Sequence, residues 1–132
     1  MSDRRETTHR TLRRLLANGR LVAVPKRLAD QEILLALAAS RLDPRETFSE
    51  SEVNERLKGW LQTISEPFGI DHVTIRRMLV DSGLLARTTS GSTYRVNREM
   101  ASRLEEVRDL DVADVLSEIA SDRDHRKRQR AT

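Results

Sequence analysis

Asp71-His72-Val73-Thr74-Ile75-Arg76-Arg77-Met78-Leu79-Val80-Asp81-Ser82-Gly83-Leu84-Leu85 reads as a short capped helix that runs straight into a strand. The Asp71 carboxylate can accept from the free amides of a first turn, and Gly83 supplies the left-handed residue on which a helix ends. With Ile75 and Leu79 turned to a core, a rotation of about 100° per residue sends Val73, Thr74, Arg77 and Asp81 to the opposite side and leaves Arg76 at its flank. Leu84 to Thr88 and Thr93 to Val96 follow as strand-like runs joined by Ser90-Gly91-Ser92, a hairpin with glycine in its turn.

Upstream, Ser49-Glu50-Ser51-Glu52 has the pattern of a capping box, and Phe48 is placed to pack back on Val53 as a hydrophobic staple. The helix so started carries Val53, Leu57, Trp60, Leu61 and Ile64 on one face, and Pro67 and Gly69 break the chain after it. Leu28, Ile33, Leu34, Leu37 and Ala38 recur near the 3.6-residue period and predict a helix at the centre of the core. Leu21 to Val24 is short and β-branched enough for an edge strand, stopped by Pro25 and free to pair with the hairpin. Residues 4–17 hold Leu12, Leu15 and Leu16 on one side of a basic helix. Downstream, Met100, Leu104 and Val107, then Val112, Leu116 and Ile119, keep helical spacing, with a phase break near Leu110-Asp111.

Helix, helix, helix and hairpin in that order is the order of a winged helix-turn-helix, in which the third helix is offered to a duplex groove. The fold class expected is therefore mainly α (α+β). The parts are a basic N-terminal helix at 1–19, the winged-helix-like domain at 20–97, an acidic amphipathic extension at 98–120 and a basic disordered tail at 121–132.

Charge supports a polyanion as partner more through its distribution than its total. The formal net charge is only +3, from 24 Lys+Arg and 21 Asp+Glu. Residues 71–98 nevertheless hold five Arg against two acids, and 121–132 hold five Lys+Arg against two, with seven acids between them at 99–118. The plainer explanation is that 21 of the 24 basic residues are Arg, a bias that codon composition alone can produce. With no cysteine and three scattered histidines there is no thiolate metal site and no zinc-ligand spacing, and no metal or cofactor is expected. The apolar run Ile33 to Ala39 is far short of the roughly 20 residues that span a bilayer, so a cytoplasmic protein is expected.

No nucleophile elbow, P-loop or dinucleotide fingerprint occurs. Glu50 and Glu52, two apart on a helix, diverge by about 200° and cannot act as paired acid and base, so no enzyme is expected. The candidate contacts to double-stranded DNA are Thr74, Arg76, Arg77, Arg87 and Arg95. Two readings of Arg76 stand open: outward to phosphate, or paired inside the domain with an acid such as Glu52. Asn54, a poor helix former mid-helix, reads as a fold determinant with Arg76 or a loop as its partner. The competing function is a protein-interaction or dimerisation module without direct DNA binding, with Met100, Leu104, Val107, Leu116 and Ile119 buried against a second copy in a homodimer or against the domain's own core.

Phe48-Ser49-Glu50-Ser51-Glu52-Val53-Asn54, then Asp71 with Arg76-Arg77-Met78-Leu79-Val80-Asp81, Gly83, Leu85, Arg87, Gly91 and Tyr94, resembles the bacterial domain of unknown function 2087 over about residues 25–97. Its members stand alone or behind an ArsR-type winged helix, so the resemblance implies a tie to transcription regulation. The chain departs from the usual pattern in a longer connection from Gln62 to Ile70.

Overall fold

The computed structural model describes residues 2–88, 90, 93–105 and 107–131. Six helices occur among them: α1 (Ser2–Leu15), α2 (Leu28–Ala39), α3 (Glu50–Ile64), α4 (His72–Asp81), α5 (Ala101–Glu105) and α6 (Val112–Ala131). Three short strands, β1 (Phe48–Ser49), β2 (Leu85–Arg87) and β3 (Thr93–Val96), form one antiparallel sheet in the order β1-β3-β2. The molecule is mainly helical with a small sheet, as its pattern of periods suggests.

The chain folds around α2. Leu34 through Ala39 are all buried, so this helix is apolar on nearly every side and must be covered on every side. Each neighbouring element covers part of it: α1 brings Leu12 and the turn after it Leu16, α4 brings Ile75 and Leu79, and α5 brings Leu104. Asp30, at the start of α2, is buried too, and its charge is met by Arg14 of α1 at 2.6 Å. The N-terminal helix is thus part of the core.

Local signals position α3 and α4. Glu52 N–H donates to Ser49 Oγ and Ser49 N–H to Glu52 Oε1, both at 3.1 Å, closing the capping box. Phe48 and Val53 flank it and are both buried in the core. Asp71 Oδ2 accepts from Thr74 N–H at 3.3 Å, and Gly83 ends the helical segment at φ 83°, where a side chain would be strained. Leu85 then lies opposite Val96, Ala86 opposite Arg95 and Arg87 opposite Tyr94. Gly91, expected in the turn between these strands, lies outside the described residues.

Two local expectations need correction. The run Leu21 to Val24 does not pair with the hairpin; β3 takes β1 as its second neighbour, Phe48 against Tyr94, so that sheet position is filled. Leu21 instead bridges to Ser65 in parallel, at the end of α3. The segment 121–131 is helical as the end of α6, a stretch rich in Arg, Lys and Gln that favours helix, and Thr132 lies outside the described residues. The phase break near Leu110 holds: Asp111 Oδ1 accepts from Ala113 N–H at 2.8 Å and starts α6 anew.

Polar contacts hold α6 along α1. His9 Nε2 meets Glu118 Oε2 at 3.0 Å, Arg13 pairs with Asp122, and Arg123 donates to the Ala17 carbonyl. Among the described residues no helix is long and apolar enough to cross a membrane.

The core role of α1 is checked by Leu12→Ala, expected to cost about 2–5 kcal/mol in urea denaturation, since a fully buried leucine leaves a cavity. A second expectation concerns acid. Hydrogen bonds from Ser49, with the nearby Arg56 charge, hold the Glu52 carboxyl below its usual range, and Arg13 does the same for Asp122. A carboxyl depressed in the folded state gives stability that is present above its unfolded pKa and lost as pH falls through the folded value. Stability should therefore hold from neutrality to about pH 4.3 and decline below it, and Glu52→Gln should flatten that decline in denaturation curves taken across pH.

Candidate functional site

Neighbouring arginines on α4 take different directions, about 100° apart. Ile75 and Leu79 point into the core, and the half-turn of helix geometry that follows carries Arg76 toward α3 and Arg77 away from it. Arg76 Nη1 donates to Asn54 Oδ1, and Nη2 lies 3.4 Å from Glu50 Oε1. The same Glu50 oxygen accepts from the Tyr94 hydroxyl at 3.2 Å. One guanidinium so ties α3 to α4, and through Glu50 to β3. The Arg76 side chain is only 14% exposed, which withdraws it from the set of outward contacts.

Its acidic partner also differs from the one expected. Glu52 reaches back to Ser49 in the capping box, while Glu50, one residue into the helix, turns toward Arg76. The difference follows from position within the first helical turn: the third residue reaches the cap and the first does not. Asn54 bonds to Arg76 as the fold-determinant reading has it. Sequence reasoning overlooked Glu50 and Tyr94 as anchors, although both stand in the motif residues quoted above.

Thr74, Arg77, Arg87 and Arg95 are exposed. Arg77, Arg87 and Arg95 make no ion pair or side-chain hydrogen bond to any described residue. The pleat divides the hairpin pair: Arg87 shares a sheet face with Tyr94, on the side packed toward the helices, and Arg95 shares the outer face with Ala86. Arg87 is therefore on the helix side of the sheet and Arg95 on the opposite side. The chemistry available is that of unpaired guanidiniums, suited to phosphate or to guanine O6 and N7.

The residues expected at a dimer seam separate into two groups. Leu104 and Val107 are each 2% exposed within the protomer, sealed by the helices they pack against, and this corrects their assignment to a contact with a second copy. Met100, Leu116 and Ile119 are half-buried and pack on the same core. The physical reason is the demand of α2: a central helix apolar all round draws the terminal segment over itself before any face is left for a partner. Trp60 is buried as its place on the apolar face of α3 suggests.

One exposed feature escaped notice in the sequence. Phe68, in the connection between α3 and α4, is 107% exposed and held at φ 64°. Its only sequence signal was the unusual length of that connection.

The sequence model of a family described as an uncharacterized protein conserved in bacteria (DUF2087) matches residues 20–96. No curated protein and no solved structure matches the chain. The matched span runs from before α2 to the end of β3 and includes every member of the Glu50, Asn54, Arg76 and Tyr94 group.

Because Arg76 is enclosed and Arg77 is not, their alanine variants should part company in thermal and urea denaturation. Arg76→Ala should cost about 1–3 kcal/mol, since it leaves Asn54 Oδ1 without its donor and Glu50 with the Tyr94 hydroxyl alone. Arg77→Ala should stay within about 0.5 kcal/mol of the parent.

Proposed function

The chain belongs to the bacterial DUF2087 family, and we propose that it is a non-enzymatic, DNA-binding regulator of transcription built as a winged helix-turn-helix. The order α2, β1, α3, α4, β2, β3 with the sheet order β1-β3-β2 supports that architecture. In it α3 and α4 are the helix-turn-helix, and the β2–β3 hairpin is the wing. Such a regulator works in the cytoplasm of the bacterial cell, where the chromosome is.

The observation that carries the reading is Arg77, turned outward on α4 beside a hairpin whose Arg87 and Arg95 have no partner among the described residues. Each exposed guanidinium without an internal carboxylate can displace a counterion from a phosphate, and Arg77, set on the recognition helix, can also grip guanine bidentately. Thr74 adds a hydroxyl in the first turn, where the positive end of the helix favours phosphate. Arg87, on the sheet face shared with Tyr94, meets the same duplex; Arg95, on the outer face, reaches a flanking backbone phosphate. Such backbone contacts fix register and leave sequence reading to α4. Arg76 acts indirectly, by holding α4 against α3.

The test is duplex binding by fluorescence anisotropy across a salt series, using fragments recovered by genomic DNA pull-down and sequencing. The parent should bind with affinity that falls steeply with salt. Arg77→Ala combined with Arg95→Ala should weaken binding and flatten the slope of log K against log salt by about one to two units, close to one per lost phosphate contact. No recovered fragment, or an unchanged slope, overturns the assignment.

A further inference from the structure

The connection between α3 and α4 is built rigidly around a residue that would be cheaper to place elsewhere. Phe68 sits in the left-handed region, which is unfavourable for a bulky side chain, and its ring stands wholly in solvent. Nothing about the loop lets it relax. Leu21 N–H donates to the Ile64 carbonyl and Glu66 N–H to the Leu21 carbonyl, both at 2.8 Å, and Ile70 N–H donates to Ser65 Oγ at 2.9 Å. Gly69 is packed so closely that a Cβ there would lie 2.8 Å from Ser65 Oγ and 2.9 Å from the Leu21 and Glu66 carbonyl oxygens. Strain held by surrounding structure at an exposed aromatic points toward a binding role.

Phe68 stands on the rim of an open groove of about 730 Å³ that includes Leu61 and Ile70. The charges around this groove identify its occupant. Arg20 and Lys58 are matched by Glu66 and Asp71, a formal sum of zero, so nothing there favours a polyanion. An apolar centre within a rim of both signs is the make-up of a protein contact. Knob and hole lie on the same patch, and so do charges of both signs. A surface that carries its own complement is the condition for a two-fold contact between identical copies, in which residue i meets j and j meets i.

We propose that this groove is a homodimer contact, in which Phe68 of each copy enters the groove of the other, with Arg20 and Lys58 facing Glu66 of the opposite copy. The rigid loop keeps the ordering cost of association low, and a buried Phe at the centre of a small contact supplies most of its free energy. Arg77, Arg87 and Arg95 do not line the groove, although Asp71 and His72 at the start of α4 do, so the contact is tested in the absence of DNA.

Sedimentation without DNA, from low micromolar to hundreds of micromolar chain, tests it. The parent should pass from monomer to dimer over that range, and Phe68→Ala should weaken the dimer by about tenfold or more. Phe68→Gly should do the same while melting no lower than the parent, because glycine is at ease at this φ; loss of the dimer then cannot come from unfolding. A charge exchange tests the two-fold geometry. The double variant Arg20→Glu, Lys58→Glu and the single variant Glu66→Lys should each fail to self-associate, and an equimolar mixture of the two should form the dimer again. A parent that stays monomeric, a Phe68→Ala chain that dimerises as well as the parent, or a mixture that remains monomeric overturns the proposal.

Discussion

The arrangement of the central domain depends on one guanidinium. Arg76 reaches from α4 to Asn54 and Glu50 on α3, and Glu50 in turn holds the Tyr94 hydroxyl on β3. Helices packed by apolar side chains alone can slide and turn, because dispersion and burial have little directionality. A planar fork with two fixed acceptors cannot. This group ties α4 to α3 in one orientation, and with it the direction in which Thr74 and Arg77 look out. Asn54, otherwise a poor choice mid-helix, makes sense only as one of its acceptors.

The second constraint is the nearly all-apolar α2. A helix buried at six consecutive positions cannot serve as the outer layer of a small domain, so additional chain has to cover it. The family match at residues 20–96 leaves out α1, α5 and α6, yet Leu12, Leu104, Val112 and Val115 from those helices are buried in the same core. The flanking segments are structural in this chain. They are locked to each other by polar contacts along α1 and α6, and α1 is tied to α2 by the ion pair of the exposed Arg14 with the buried Asp30.

How much of this could be read beforehand follows from the range of each interaction. The capping box at Ser49, the Asp71 cap and the restart at Asp111 were legible because a helix cap is made by residues two or three apart. The apolar faces of α3 and α4 were legible from period, whereas in α2 the first residue of the expected stripe, Leu28, stands exposed and burial runs unbroken from Leu34 to Ala39. The partner of Arg76 was half legible: Asn54 could be named, but choosing Glu50 over Glu52 required knowing which carboxylate the cap had already taken. The place of Leu21 to Val24 was not legible, since strand pairing is decided by competition between distant segments and Phe48-Ser49 won the neighbouring position. Nor was the fate of Leu104 and Val107, because an amphipathic helix shows the same pattern whether its own core or a second copy covers it. Phe68 left no periodic trace at all, as a loop residue has none to leave.

The two outward surfaces differ in a way that separates their partners. On α4 and the hairpin, Arg77, Arg87 and Arg95 keep charges that no described carboxylate meets, and such charge gains most from a phosphate chain that releases counterions. At the α3–α4 connection the signs balance and an aromatic ring is exposed on the groove's rim, so a polyanion gains little there while a surface of the same kind gains both the buried ring and the opposed charges. Arginine abundance is common to the whole chain and distinguishes neither surface. What distinguishes them is which arginines the fold has already neutralised, as Arg76 and Arg77 show side by side: one rotation of the helix commits the first to Glu50 and leaves the second its full charge for another molecule.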